Sequence, residues 1–531
     1  MLAIGSLLEL NAASVLLGIL SLQVLAFAYH ALVAVRVSRS DKSETRKVWR
    51  PDSTLPFVEN TLDLVRHVPD FQDWIFSICK QFKGEPFLIK ALGRPDMTVL
   101  YTPQVIEDVF KHQFACFPKG PFFIDNLKDL LGEGIFAVDD TKWVHQRKTA
   151  SHLFTMRTLR DSMTTTVQTH TKVLHMILQR AADSDTPMDL FKLFNRFTIE
   201  AFAEIGFGIH LGCLDAEKEH PFQTAFDSAQ REVILRFFRP GWFWKTQRWL
   251  GIGAEGRLKQ NLKVIDDTVL DIVTKSLERR RTNDEPAKGD IEKDIVSLFL
   301  DNAIRDPGFE ANEFDPKYLR DIVVNFLIAG RDTTAQALSW FFYNLSSHPE
   351  VVAKIRAEIA AKLPELASGK IVTPTMEQVQ DLVYLEAALK ETLRLHPSVP
   401  LETKHVVRDI VLSDGTFIRG GTTVALPFYG IGRMAHIWGP DAEVFSPDRW
   451  IDAQTGKLIN VSAYKFVAFN AGPRLCLGMN LAMLEMKLVV SGILSKFDIE
   501  LLLGQTITYD FSLTLPVHGA MMASVRKTPR Q

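Results

Sequence analysis

The chain has 531 residues, enough for one large catalytic domain or about three average ones, and too many for a hormone or a small adaptor. Apolar residues make up 46% and charged residues 23%, a globular balance that excludes wholesale disorder. Lys and Arg number 61 against 63 Asp and Glu, a formal charge of −2, so the chain lacks the basic excess that nucleic-acid binding requires.

From Asn11 to Val35 there is no Asp, Glu, Lys or Arg, and Leu, Val, Ala and Ile dominate. As a helix this run would be about 37 Å long, enough to cross a hydrocarbon core of about 30 Å. Arg36, Arg39, Lys42, Arg46, Lys47 and Arg50 follow it, whereas Glu9 is the only charged side chain before it. The positive-inside rule then keeps the rest of the chain in the cytosol. A cleaved signal peptide is the competing reading, since Ala26-Phe27-Ala28 offers a small-residue site. Against it, the leading segment has no positive n-region and the apolar run continues past that site. The expected organisation is an anchor over residues 1–35, a basic, proline-punctuated hinge over 36–60, and one soluble body over 61–531.

The body reads as mainly α with a small β component. Helical patterning starts at Asp70–Phe82, and Phe87–Leu92 and Thr98–Tyr101 read as strands parted by the turn Gly93-Arg94-Pro95. Apolar spacings of three and four from Thr141 to Ser276 predict several long helices. The polar stretch Arg279–Asp294 reads as an exposed loop. Asp315-Pro316 then opens a helix predicted to run to about Ser346. Short strands are expected at His405–Val407, Ile410–Leu412, Phe417–Ile418 and Thr423–Ala425, with Asp414-Gly415 as a hairpin turn. Four scattered cysteines (Cys79, Cys116, Cys213, Cys476) form neither a disulfide scaffold nor a paired zinc spacing, which suits a reducing compartment.

The chemistry concentrates in Phe469-Asn470-Ala471-Gly472-Pro473-Arg474-Leu475-Cys476-Leu477-Gly478. A lone Cys is commonly a small buried hydrophobe. Here, however, two glycines open the turn to something large and flat, and Arg474 and the following helix N-terminus favour a thiolate. Such a thiolate is a soft, electron-donating iron ligand. This loop resembles the haem-binding signature of the cytochrome P-450 monooxygenases, matching it at Phe469, Gly472, Arg474, Cys476 and Gly478. The resemblance implies the P-450 fold, haem b as cofactor, and Cys476 as the metal ligand.

Three further segments resemble the same family, in its order. Ala329-Gly330-Arg331-Asp332-Thr333-Thr334 interrupts an apolar helix. On the resemblance Thr333 would hydrogen-bond dioxygen and Asp332 would relay protons to it, with Gly330 leaving room for oxygen and water. Glu391 and Arg394 lie on one helix face, and in the family they lock to a later Arg, here Arg449. Trp143 and Arg147 lie one turn apart and match residues that contact the haem propionates; His405 falls where many members place another such contact. Trp143, Arg147, His405 and Arg474 are therefore the expected clamp.

Val233–Leu250 interleaves aromatics with Arg and Lys, a composition suited to a membrane interface. That segment, with Ala329–Trp340 and Lys404–Ile410, resembles plant-type membrane-bound fatty-acid ω-hydroxylases. The resemblance implies O2 insertion near the ω end of a fatty acyl chain in the endoplasmic reticulum membrane. A sterol, terpenoid or xenobiotic substrate, hydroperoxide rearrangement, and haem binding without turnover stand as alternatives. No flavin or nicotinamide fingerprint is present, so electrons would come from NADPH–cytochrome P-450 reductase, with cytochrome b5 as a further donor. Lys142, Lys148 and Lys465 are candidates for its docking face. Phe122, Phe123, Phe136, Phe326, Val399, Leu401 and Leu513–Val517 are candidate substrate walls. Two departures stand out: Ala329 replaces the Glu that links haem covalently in some animal ω-hydroxylases, and Glu59 occupies a hinge position where relatives commonly carry Gly.

Overall fold

The computed structural model describes residues 46–216, 219–282, 294–305 and 316–528. The expected anchor at 11–35 lies outside the described residues. Among those described, no helix is long and apolar enough to cross a membrane.

Among the described residues helices dominate and three small sheets flank them. The central helix runs Pro316–Ser346 and is buried around nearly its whole circumference, apolar residues filling most of it and buried polar ones such as Asn325 and Asp332 holding hydrogen-bond partners. Proline opens it at the first turn, where the missing N–H has no partner to lose; Pro221, Pro349 and Pro364 open other helices in the same way. Against it packs the helix Leu190–Phe207, pinned where the Thr198 hydroxyl donates to the Arg331 carbonyl at 2.8 Å. The largest sheet orders its strands Phe87–Ile89, Met97–Val99, Thr423–Leu426 and Glu402–His405. Its middle pair is parallel and the two outer pairs are antiparallel. A second sheet joins Met188–Asp189, Met522–Lys527 and Phe497–Leu501, and was not legible in the sequence.

Two expectations need correction, and residues 283–293 of the expected loop lie outside the described residues. The strand expected at 405–407 is Glu402–His405, three residues earlier. Arg279 belongs to the helix Gly253–Thr282, not to a loop. Asp294 is buried, accepting from Ser276 at 2.8 Å and capping the next helix through the Ser297 N–H at 2.7 Å. The hairpin at Asp414-Gly415 forms as expected, with Gly415 at φ +85° and Asp414 accepting the Thr416 N–H at 2.9 Å.

Candidate active site

A cavity of about 430 Å³ lies between the central helix, the large sheet and the Cys476 loop. The loop's shape follows from its sequence. Gly472 has φ +60°, and a side chain there would meet the Phe110 carbonyl at 2.0 Å, so only glycine fits. The turn closes where the Cys476 N–H donates to the Phe469 carbonyl at 2.9 Å, and the helix Met479–Lys496 starts immediately after Gly478. Cys476 is open to the cavity but enclosed by surrounding protein. Burial pushes its thiol up, opposed by the Gly478 N–H and the Arg147 charge.

Trp143 and Arg147, on the helix Asp140–Ser151, meet the same loop. Arg147 donates to the Leu475 carbonyl at 2.7 Å, and Arg474 lies over the Trp143 ring, 4.4 Å from its centroid. Arg474 also bonds Asp139 at 2.7 Å and the Val138 carbonyl at 3.0 Å. Trp143, Arg147, Phe469, Gly478 and Arg474 all border the cavity with Cys476. His405 does not: its backbone N–H bonds Pro118 and its Cβ packs against Gly120.

The neighbouring Lys404 is the cation that the sequence reading passed over. It is buried, and its ammonium is 2.8 Å from Glu402 without hydrogen-bond alignment. Burial brings its pKa down to about 7, against the pull of Glu402. Burial would raise Glu402, but Lys119 and Lys404 overcome it and hold that carboxylate near about 2. Lys119 bonds Glu402 at 2.7 Å, and both border the cavity. The parity of the strand is the missed signal: moving its start by three residues turns Lys404, not His405, to the buried side.

On the central helix Thr333 borders the cavity and donates its hydroxyl to the Ala329 carbonyl at 2.7 Å. Asp332 does not border it. Its carboxylate is buried, accepting from Gln230 at 2.7 Å and Arg331 at 3.0 Å. Burial raises it to about 6, against Arg331, which is itself held by Asp227 at 2.6 Å. Gly330 leaves no room for water on its Cβ side, because the Phe202 ring fills that space.

The expected walls line the cavity at Phe122, Phe123, Phe136, Phe326, Val399, Leu401, Leu513 and Thr514, whereas Val517 is core. Polar stitching to the central helix sets them in place. Asn325 donates to the Leu131 carbonyl at 2.8 Å and accepts from Phe136 at 3.0 Å, and Gln336 bonds Thr514 at 2.7 Å and Leu515 at 3.1 Å.

Glu391 is fully buried and accepts from Arg394 Nε and Nη2 at 2.7 and 2.8 Å, Arg449 at 2.9 Å, Ser446 N–H at 2.8 Å and Trp450 at 2.9 Å. Arg394 donates onward to the Gly432, Ala442 and Val444 carbonyls. This network ties the helix Val383–Leu395 to the segment before the Cys476 loop and touches no part of the cavity except through Leu393.

The residues present fit haem. A sulfur donor opens onto an apolar cavity bordered by Arg474, whose buried Nε has no acceptor among the described residues, as suits a cation facing a dianion. The cytochrome P-450 family profile matches residues 50–520. Cytochrome P-450 86B1 of Arabidopsis thaliana is 35% identical over 95% of this chain and 90% of its own length. Cytochrome P-450 704C1 of Pinus taeda is 36% identical over 91% and 94%, and cytochrome P-450 94A2 of Vicia sativa 35% over 80% and 81%. With a thiol open to the cavity, a cationic clamp around it and this match along most of its length, the chain belongs to the cytochrome P-450 family of haem-thiolate monooxygenases.

Proposed function

We propose that this monooxygenase hydroxylates fatty acyl chains at or near the ω end, at the endoplasmic reticulum membrane. Bound haem supplies the activation of O2 by two electrons and the insertion of one oxygen atom into a C–H bond. Cys476 is the ligand, and Trp143, Arg147 and Arg474 hold the propionates. Thr333 positions a proton at the cavity wall, and Asp332 supplies it after its carboxylate rotates away from Gln230.

The observation that carries the substrate reading is the cavity wall. Phe122, Phe123, Phe326, Val399 and Leu513 form an apolar lining that reaches Thr333 and Cys476, so a hydrocarbon chain meets the sulfur end along a mostly apolar wall. Positioning then selects the carbon that reacts. A cavity-facing Thr333 favours O2 chemistry over hydroperoxide rearrangement.

The N-terminal run at 11–35 serves as the anchor. Trp242 and Trp249, 71% and 83% exposed on the helix Gly241–Leu250, rest at the lipid interface. Not all basic residues of that segment face lipid: Arg236 is buried against Glu255 at 2.6 Å. Electrons come from NADPH through NADPH–cytochrome P-450 reductase, with cytochrome b5 as an additional donor. Incubation of the enzyme with that reductase, NADPH and a lauric-to-oleic panel tests the reading: ω or ω−1 alcohols are expected, and in-chain products or none contradict it.

A further inference from the structure

Outside the cavity, two imidazoles and a carboxylate from three separate segments come together. They are His170 on the helix Thr164–Ser184, Glu204 on the helix Leu190–Phe207, and His210 just after that helix. His170 Nε2 lies 2.6 Å from Glu204 Oε2, and His210 Nδ1 lies 3.5 Å from the same oxygen. One ligating atom from each residue lies within 4.8 Å of those of the other two. Donor atoms bound to one tetrahedral ion at about 2.0–2.1 Å are about 3.4 Å apart, so small side-chain rotations suffice. A His170–Glu204 hydrogen bond needs only those two groups. His210 brings a second imidazole nitrogen to the same oxygen.

The backbone builds this arrangement from both sides. Gly208 ends its helix at φ +65°, with its N–H on the Glu204 carbonyl at 2.8 Å. The Ile209 N–H bonds the Ala203 carbonyl at 3.2 Å, which turns the chain back beside Glu204. Arg279 fixes the turn by donating to the Gly208 carbonyl at 2.7 Å. Beyond His210, the buried Glu200 accepts the N–H groups of Leu211, Gly212 and Cys213 at 3.0, 3.1 and 2.6 Å. Glu200 also lies 3.9 Å from His210 Nδ1, adding negative charge beside the set. His170 is 5% exposed and the His210 side chain 69%, so protein walls one side while the other admits an ion and water.

We propose that His170, Glu204 and His210 bind a zinc ion at a site separate from the haem. Two neutral imidazoles and one carboxylate are a donor set that zinc takes, with the fourth position left to water on the exposed side. Magnesium and calcium prefer oxygen donors, which two imidazoles do not supply. The ion links the helix Thr164–Ser184 to the end of the helix Leu190–Phe207, and so stabilises the folded chain by mass action. This site does not depend on which substrate enters the cavity.

Equilibrium dialysis against ZnCl2 tests the proposal on wild type, His210→Ala and Glu204→Gln. The protein is full-length, haem-loaded, treated with chelator and free of any histidine tag. Wild type binds about one zinc ion per chain at this site, and each variant weakens that binding by about tenfold or more. His210→Ala removes an exposed side chain, so its haem content matches wild type and reports an intact fold. ZnCl2 raises the melting temperature of wild type but not of His210→Ala, and MgCl2 moves neither. No zinc held by wild type, or an unchanged affinity in either variant, overturns the proposal and leaves His170 and Glu204 as a hydrogen-bonded pair.

Discussion

The Phe202 ring occupies the space into which a side chain on Gly330 would project: a Cβ there would lie 2.1 Å from Cγ of Phe202. The glycine therefore lets the helix Leu190–Phe207 approach the central helix beside the cavity. Ala at this position gains about 1 kcal/mol of helix propensity but overpacks a buried contact at a cost of about 1–3 kcal/mol. Gly330→Ala should lower stability by about 1 kcal/mol in urea unfolding, and Phe202→Leu added to it should recover part of that loss. An unchanged midpoint would mean the ring moves freely aside.

Glu391 shows how a buried charge is held. Five donors from Arg394, Arg449, Ser446 and Trp450 reach its two oxygens, and none of its surface is exposed. Removing the carboxylate leaves two guanidinium groups short of an acceptor, a loss of about 3–5 kcal/mol. Glu391→Ala should therefore give little soluble haem-loaded protein, and Glu391→Gln an intermediate yield. Near-normal yield from Glu391→Ala would show the network to be dispensable.

Glu485 makes stability fall as pH rises from about 4 to about 8. It borders the cavity, is buried, and burial alone raises its carboxyl to about 8. In the unfolded chain a Glu titrates near about 4.3, so between that value and 8 the folded state holds a proton that the unfolded state has released. Its contribution is thus full below the lower value and is lost by about 1.4 kcal/mol per pH unit through this window. Melting of Glu485→Gln at pH 6 and pH 8 should show a smaller alkaline decline than wild type. Parallel declines would mean that Glu485 ionises freely in the fold.

Glu59 sits at φ +51°, a left-handed conformation that glycine adopts without cost. Its backbone N–H bonds the Leu55 carbonyl at 3.0 Å, and its side chain pairs with Arg50 at 3.1 Å near the surface. Left-handed backbone costs a side-chain-bearing residue about 1 kcal/mol, while such a pair contributes about 0–1 kcal/mol. Glu59→Gly should leave stability level or raise it by about 0.5 kcal/mol, measured by thermal melting. A loss of 1 kcal/mol or more would assign the ion pair a larger role.

What the sequence revealed followed from locality. Phe469 to Gly478 is one turn, so residue types at fixed spacing describe its whole shape, and Pro316 announces the helix it opens. Glu391 and Arg394 are readable because three residues place them on one face, although Trp450 and Ser446 as partners are not. Contacts between distant elements stayed hidden. Nothing near Gly330 in sequence points to Phe202, and nothing near Asp332 points to Gln230. His405 follows from the family resemblance alone, and only the strand's start at Glu402 shows that Lys404 is the buried residue of the two. Asp332 reads as a polar residue beside Thr333, yet the two point differently, since adjacent helical residues lie about 100° apart.

Cys476 is expected to bind haem iron as a thiolate. The visible spectrum of the reduced, carbon-monoxide-treated protein, recorded beside Cys476→Ser, tests it most directly. A strongly red-shifted Soret band is expected in wild type and disappears in the variant. An unshifted band in both, or no haem in either, would contradict it and make Cys476 a cavity-wall residue without a metal.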